Sequence, residues 1–179
     1  MIEDIPPGLP DDFRQAIGFH GHLCGGLTRG YRMARAALEA LGVERAQDEE
    51  LVAIVENDAC GVDAVQVLTG CTFGKGNLIF RDYGKHVLTL LRRSDGRAVR
   101  VSLRSFERGL ATEELLALPA EQMLRVEGVE ADLPAAARIF ESQPCAECSE
   151  ATMVTRLIED GPRLICRDCA LRLGVNPSP

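Results

Sequence analysis

The sequence contains no tryptophan, and aromatic residues make up only 4% of its 179 residues. So few rings leave few platforms on which the bases of single-stranded nucleic acid could stack. Positive charge is also scarce, because 20 Lys and Arg residues stand against 27 Asp and Glu, for a net charge of −7. Binding to nucleic acid or to an anionic membrane by charge requires the opposite sign. We therefore expect no membrane partner, and nucleic acid is disfavoured.

Long hydrophobic runs are missing too. No stretch approaches the roughly 20 apolar residues that a membrane-spanning helix needs. The opening stretch, MIEDIPPGLPDDF, is acidic and proline-rich and lacks the basic and apolar regions of a secretory signal peptide. These absences predict a cytoplasmic protein. In that reducing compartment, seven cysteines indicate metal or thiol chemistry rather than disulfides.

The hydrophobic pattern predicts a mixture of helices and strands. Apolar residues spaced by three or four between Leu27 and Leu41 predict an amphipathic helix that ends at Gly42. The apolar run LVAIV predicts a buried strand, and ACGVDAVQVLTG predicts a helix after it. HVLTLLRR and AVRVSLR flank SDGR, a strong hairpin signal, and DLPAAARIFES predicts a further short helix. The predicted fold class is α+β, with a mixed or antiparallel sheet packed against helices.

A cysteine module follows this core. Cys145 and Cys148 form one Cys-x-x-Cys pair, and Cys166 and Cys169 form a second pair after 17 intervening residues. This spacing is typical of a zinc ribbon or treble clef, in which four thiolates close a tetrahedral structural site. A module this small depends on its metal for folding. We therefore predict a core domain over residues 1–142 and a four-cysteine zinc-finger module over residues 143–179.

A second group of metal-friendly side chains lies near the start, in FHGHLCGG. His20, His22 and Cys24 alternate, so all three share a face if the segment is extended. If a helix has already begun, His20 and Cys24 still share a face. Imidazole and thiolate suit zinc or another borderline metal. The alternative is a pair of histidines near the helix cap beside an inert buried cysteine.

Cys60 is the strongest candidate to complete that site. It falls between the predicted buried strand and the helix that follows, a position where sites gather in α/β layers. A thiol near a helix N-terminus is expected to have a lowered pKa. Cys60 is therefore a candidate metal ligand or nucleophile, with His20 as its partner in catalysis. A small buried hydrophobic role is the alternative.

The loop CTFGKGNL resembles an anion cradle in composition. Gly74, Lys75 and Asn77 are the candidate residues for binding a phosphate or carboxylate, and a plain turn is the alternative. The loop is not a P-loop, because Gly76 and not Ser or Thr follows the lysine. Cys71 is a weaker candidate ligand. His86 begins a predicted strand and is most simply a structural residue.

Together, FHGHLCGGLTRGYRMARAAL, VENDACGVDAVQVLTGCTFGKGNLIFRDYGKHV and the terminal cysteines resemble the family of proteins similar to the E-subunit of formylmethanofuran dehydrogenase. The resemblance runs over about residues 13–170. It implies an α+β core with a C-terminal treble-clef zinc finger, assembled as a homodimer. It also implies a link to molybdenum or tungsten oxidoreductase subunits of methanogenesis.

Family motifs map onto particular residues of this chain. The His-Gly-His-x-Cys motif falls on residues 20–24, with Gly25 where proline is common in the family. The Asp-x-Cys-x-x-Asp motif falls on Asp58, Cys60 and Asp63, and the Gly-Cys-Thr-x-Gly-Lys-Gly-Asn motif on residues 70–77. The resemblance supports convergence of these elements on one site but supplies no reaction.

Three functions follow as hypotheses. The first is a metal-binding protein with a structural zinc finger and a second metal, of zinc type or another, in the core. The second is a thiol-dependent enzyme that uses Cys60 as nucleophile. The third is a regulatory or adaptor protein that acts through the finger.

Overall fold

The chain divides into two compact units, Met1–Ala137 and Arg138–Pro179. The computed structural model describes residues 5–104, 109–136 and 139–175. The division predicted from the sequence, between residues 142 and 143, lies a few residues later. No helix in the described part of the chain is long and apolar enough to cross a membrane.

The first unit is a mixed sheet with its main helices on one face. Its elements in chain order are α1 (Asp11–His20), α2 (Gly25–Leu41), β1 (Leu51–Val55), α3 (Gly61–Thr69), β2 (Leu78–Phe80), β3 (Val87–Arg92), β4 (Ala98–Leu103), α4 (Thr112–Ala117), α5 (Ala120–Met123) and β5 (Leu124–Val129). The strand order is β2-β1-β3-β4-β5, with β1 and β2 parallel and the other pairs antiparallel. The predicted α+β class is confirmed.

Burial explains why the sequence of β1 is a continuous apolar run. Its five residues are all buried, because the sheet is covered on both faces. Leu51, Ala53 and Val55 face the main core formed with α1, α2 and α3. Val52 and Ile54 face a smaller cluster on the opposite side. This central strand therefore brings the loop after it, which leads into α3, to the edge of the helical layer.

Three glycines allow α2 and α3 to touch backbone to backbone. A Cβ atom added at Gly30 would lie 2.2 Å from the carbonyl oxygen of Gly61. A Cβ at Gly61 would lie 3.1 Å from the Gly26 oxygen. The two backbones therefore pack closely at these glycines, and this contact brings together the N-terminal ends of the two helices.

One predicted helix is wrong. The stretch from Asp132 has no helix in its described part, residues 132–136 and 139–142, and residues 137–138 lie outside that part. Pro134 disfavours helical geometry in Leu133, which precedes it. The guanidinium of Arg93 donates to the Pro134 carbonyl at 2.7 Å. That bond ties the segment to the end of β3 in an irregular conformation. The sequence also did not predict β5, a strand that precedes this segment and pairs with β4.

The second unit is built from two small hairpins and a helix. Its elements are β6 (Ser142–Pro144), β7 (Ala151–Met153), a 3₁₀ turn (Val154–Arg156), β8 (Leu157–Asp160), β9 (Arg163–Cys166) and α6 (Arg167–Leu173). The β8–β9 hairpin turns at Gly161, within the stretch EDGP, whose Asp, Gly and Pro are typical turn residues. A cysteine knuckle, a hairpin and then a helix follow in the order of a treble clef.

We predict that Gly30→Ala destabilises the first unit. The added methyl meets backbone atoms of α3, which cannot move aside as a side chain can, so we expect unfolding to become easier by about 2–3 kcal/mol. Chemical denaturation followed by circular dichroism measures this change. Gly18→Ala is the matched control, because Gly18 also lies in a helix but a Cβ there meets nothing within 4 Å. That variant should gain up to about 1 kcal/mol. Equal stability changes in the two variants would contradict the close helix contact.

Candidate metal centres

The four cysteines of the second unit form one compact group. Their sulfur atoms all lie within 4.8 Å of one another. Cys145 and Cys148 lie in the knuckle after β6, Cys166 ends β9 and Cys169 lies in the first turn of α6. The Cys148 and Cys166 sulfurs are 3.9 Å apart. Two sulfurs bound at 2.3 Å to a tetrahedral zinc ion are about 3.8 Å apart, so this spacing suits a metal and is far too long for a disulfide.

Backbone amides surround the sulfur of Cys145. The amide of Cys166 donates to it at 3.2 Å and that of Glu147 at 3.4 Å. Burial opposes ionisation here, but these amide donors outweigh it and lower the pKa of Cys145 to about 6. Burial and the three neighbouring sulfurs raise the pKa of Cys169 to about 12, although Arg172 donates to its sulfur at 2.9 Å. Four sulfurs held this close together would be stabilised as thiolates by a cation, so this group could bind a metal ion.

A second candidate group lies where α1 ends and α2 begins. His20, His22 and Cys24 each place a ligand atom within 4.8 Å of the others. Nε2 of His20 is 3.9 Å from the Cys24 sulfur, and the two imidazole rings are 4.5 Å apart. Cys24 is the N-cap of α2, and its sulfur accepts from the Leu27 amide at 3.3 Å. The structure therefore brings together the three residues that the sequence motif predicted.

Asp63 orients His20. Its carboxylate lies 2.7 Å from Nδ1 of the imidazole. An ionised carboxylate can only accept, so the proton of a neutral ring lies on Nδ1, and the lone pair of Nε2 is directed towards Cys24. Carboxylates that hold a histidine in this way are typical partners of metal-binding imidazoles. Asp63 is three residues after Cys60, within the first turn of α3, and so shares a face with it.

Cys60 lies beside Cys24, across Gly26. A Cβ added at Gly26 would lie 3.7 Å from the Cys60 sulfur and 3.8 Å from the Cys24 sulfur. The two thiols interact with each other. Cys60 is outside the group of three that share the 4.8 Å limit. Cys24 therefore lies next to both the two histidines and Cys60, and it links them into one group.

The expected lowering of the Cys60 pKa is wrong. Burial raises the pKa of this thiol, and the neighbouring Cys24 raises it further. Cys60 occupies the N-cap position of α3 but has helical backbone angles and makes no capping hydrogen bond with its side chain. It therefore gains little from the amides of the helix terminus. At neutral pH the side chain is a thiol and not a ready nucleophile.

A cavity of about 100 Å³ opens next to Cys60, among α2, α3 and the ends of β1 and β3. Its polar lining includes Arg29, Asn57 and His86. The Asn57 amide nitrogen donates to the Lys85 carbonyl at 2.7 Å and lies 3.3 Å from Nδ1 of His86. The contact between the Asn57 amide and Nδ1 holds the His86 ring at the cavity wall. His86, which the sequence suggested was only structural, thus faces the same space as Cys60.

The glycine-rich loop has a clear structural task. Asn77 is fully buried, and its side chain bonds the carbonyls of Asp48 and Leu51 and the amide of Thr72. Lys75 donates to the carbonyls of Gln47 and Asp48. These bonds join the loop, which includes Gly74, to the segment before β1. Binding of an anion by Gly74, Lys75 and Asn77 stays a prediction.

Sequence reasoning placed Asp63 in a family motif without giving it a role, and it did not predict that Arg29 is buried. A second signal for Asp63 was available, because a spacing of three in a helix places it on the face of Cys60. Arg29 had none, since a charged residue within an amphipathic helix normally lies on the solvated face. Here Arg29 is only 8% exposed.

Comparisons with known proteins find a matching family, a similar sequence and a similar structure. The family model described as FmdE, Molybdenum formylmethanofuran dehydrogenase operon, matches residues 19–143. A protein of Archaeoglobus fulgidus named "Probable S-adenosyl-L-methionine-binding protein" is 35% identical over 193 aligned positions, which cover 87% of this chain. The alignment spans about half of that protein, 51% of its length.

A solved structure is also similar. It is the crystal structure of an FmdE-like protein from Syntrophus aciditrophicus, named after the E-subunit of a tungsten formylmethanofuran dehydrogenase. The two structures superpose with a TM-score of 0.64 and 27% sequence identity, over 89% of this chain and 90% of the other.

We predict slow alkylation of Cys60 at neutral pH. Its raised pKa leaves less thiolate than in free cysteine, so iodoacetamide should react more slowly and the rate should still rise at pH values where free cysteine has levelled off. Peptide mapping by mass spectrometry without added metal follows each cysteine separately. Cys24→Ser should accelerate the reaction by removing the neighbouring thiol, and Cys71→Ala should leave it unchanged. Reaction faster than free cysteine would refute the raised pKa and favour a nucleophile.

Proposed function

Because this chain belongs to the FmdE family, we propose that it is a metal-binding protein related to formylmethanofuran dehydrogenase, with a structural zinc in its second unit and a metal site in its core. His20, Cys24 and Cys60 would hold the core metal, with His22 as a further ligand. The observation that supports this most is the group of His20, His22 and Cys24, with Asp63 bonded to the far side of the His20 ring.

The donor set fits a borderline metal. Imidazole nitrogen and thiolate sulfur are ligands of zinc and of neighbouring transition metals. A tetrahedral ion would hold its nitrogen and sulfur ligands about 3.6 Å apart, a little closer than the 3.9 Å between Nε2 of His20 and the Cys24 sulfur. Burial and the neighbouring Cys24 thiol raise the pKa of Cys60. A bound cation would counter both effects by stabilising the thiolate form.

The two sites differ in what surrounds them. The finger offers four sulfurs and no further donor is needed, which is the composition of a closed structural site. The core group instead lies beside a cavity that reaches Cys60. A metal with an open position there would act as a Lewis acid towards a bound ligand. Asp63 would hold the His20 ring in the ligating orientation, and Asn57 would keep His86 at the cavity wall.

The setting of this protein is a further part of the proposal. Its relation to an FmdE-like protein named after a tungsten formylmethanofuran dehydrogenase supports a role with molybdenum or tungsten oxidoreductase subunits. We propose that it acts there as a cytoplasmic homodimer, as its composition and the resemblance of its sequence imply. We do not extend the binding of S-adenosylmethionine to this chain, because the Archaeoglobus protein is about twice the length that the alignment spans.

The thiol-enzyme hypothesis has one observation in its favour. Cys60 and His86 line the same cavity, as a nucleophile and a base would. The raised pKa of Cys60 counts against it, and so does the position of His20, which is directed at Cys24 instead. We therefore place metal binding first.

Metal analysis tests the core site. We expect two metal ions in each parent chain and one in Cys24→Ala/Cys60→Ala, because the double variant removes both core sulfurs and leaves the finger intact. Elemental analysis by inductively coupled plasma mass spectrometry on purified protein measures the ratio. Cys71→Ala is the control, since it removes a buried cysteine that belongs to neither group, and it should keep both ions. A single ion in parent and double variant alike would rule out the core metal.

Asp63 gives a second, more specific test. Asp63→Asn keeps the size of the side chain, but an amide can also donate, so it permits the wrong tautomer of His20. We expect affinity of the core site for zinc to fall by about 10- to 100-fold, measured by competition with a chelating dye. Asp58→Asn removes the same charge from an exposed residue of the same segment and should leave the affinity unchanged. An equal loss in both variants would mean that charge alone, and not orientation of His20, is at work.

A further inference from the structure

A second cavity lies on the face of the sheet opposite α2 and α3. It is a cleft of about 520 Å³. Ile54, Thr89 and Arg100 are neighbours in register on β1, β3 and β4, so their side chains form one row along the cleft. Residues 129–132, at the end of β5 and just after it, contribute to the same lining. The cleft is therefore separate from the candidate core metal site, which lies on the helical side of the sheet.

Glu56 is the buried acid of this cleft. It follows β1 directly and is only 9% exposed. Its backbone amide donates to the Val87 carbonyl at 3.2 Å, and its carbonyl accepts from the Lys85 amide at 3.0 Å. These backbone bonds fix the position from which the carboxylate extends, so the side chain cannot leave the cleft by a shift of the main chain.

The Glu56 carboxylate lacks hydrogen-bond donors. Oε2 is buried and has no hydrogen-bond partner in the described part of the chain. Oε1 lies 3.7 Å from Nη2 of Arg100, which is longer than a hydrogen bond. Buried acids are normally hydrogen-bonded, because otherwise they lose their hydration without compensation. Rotation about the last side-chain torsion, whose energy minimum is broad, can turn either oxygen into the cleft. A ligand with an N–H donor would therefore satisfy this carboxylate.

The charge of the lining favours a cation as that ligand. Glu130 and Asp132 add two exposed carboxylates to that of Glu56. The basic side chains of the lining are those of Arg81 and Arg100, so acidic groups exceed basic groups by three to two. The lining thus carries a net negative charge, which attracts a positive ligand.

The spacing of the acids favours an organic cation over a metal ion. Among the residues that the structure describes, groups of three or more His, Cys, Asp or Glu side chains with ligand atoms within 4.8 Å of one another occur only at the two candidate metal centres. The three carboxylates of the cleft are therefore more widely spread than such a group. Apolar side chains lie among them, those of Ile54, Val129 and Ala131. The volume of the cleft is also in the range of small-molecule sites.

We propose that this cleft binds an aliphatic primary amine, with its ammonium group at the Glu56 carboxylate and its alkyl chain against Ile54, Val129 and Ala131. An ammonium group carries three N–H donors and a positive charge, so it supplies the donors that this carboxylate lacks. Hydrogen bonds between charged groups are also stronger than neutral ones. The site goes beyond the proposed function and depends on neither metal centre.

Ligand-observed NMR on the purified full chain tests the proposal. Butylamine, 1-butanol and butyrate have nearly the same size and are positively charged, neutral and negatively charged at pH 7. We expect saturable binding of butylamine, binding of butanol weaker by about ten- to hundredfold, and no binding of butyrate. Tetramethylammonium has the charge of butylamine but no N–H donor, so it should not displace butylamine. These comparisons use the parent protein alone, so they hold whether or not a variant folds.

A pair of variants assigns the binding residue. Glu56→Gln keeps the size of the side chain but removes its charge, and it should weaken butylamine binding by about ten- to hundredfold. Glu39→Gln makes the same change at an exposed residue of α2, outside the cleft, and should leave binding unchanged. Thermal unfolding of both variants confirms that they are folded.

Four outcomes would overturn the proposal. The first is no saturable binding of butylamine. The second is equal binding of butylamine and butanol, because the alkyl chain alone would then account for it. The third is displacement of butylamine by an equal concentration of tetramethylammonium, since the net charge of −7 on the whole chain would then attract any cation. The fourth is an equal loss of binding in Glu56→Gln and Glu39→Gln. Selective binding of butylamine that depends on Glu56 would support the amine site.

Discussion

The backbone contact between α2 and α3 is the constraint on which the core site depends. Gly30 and Gly61 approach so closely that no side chain fits between them, and Gly26 leaves just enough room for two sulfurs. Since the contact lies near the N-terminal ends of both helices, it brings Cys24 and Cys60 together although they are 36 residues apart (60 − 24). Any larger residue at these positions would separate the helix starts and with them the two cysteines.

The rest of the core site follows from that contact. α1 ends at His20, and Gly21, in a left-handed conformation at its C-cap, redirects the chain so that Cys24 can begin α2. α3 then presents Asp63 from its first turn to the His20 ring. One helix end and two helix starts thus supply all the candidate groups. The finger needs no comparable helix packing, because its four sulfurs are held by a knuckle and by the junction of β9 with α6.

What the sequence could predict was local. The periodicity of α2, the apolar run of β1, the hairpin of β3 and β4 and the cysteine spacing of the finger each report on neighbouring residues, and each prediction agrees with the structure. The errors concern partners that are distant in the chain. Arg93 holds Pro134 in an irregular segment where composition suggested a helix. Arg29 and His86 line a cavity through packing that no local pattern records. His20, His22 and Cys24 are predictable as a group, but their link to Asp63 is not visible without the fold.

The pKa of Cys60 connects the fold to the choice between functions. A helix start usually makes a thiol more acidic, yet here burial and a second thiol prevail and raise its pKa. The same close packing that brings the two sulfurs together makes Cys60 harder to ionise in the absence of a cation. A nucleophile gains nothing from such a neighbour, whereas a metal ion bound by both sulfurs would stabilise their thiolate forms. The close contact at the glycines therefore favours a metal site over a free thiol nucleophile at Cys60. This supports placing metal binding first.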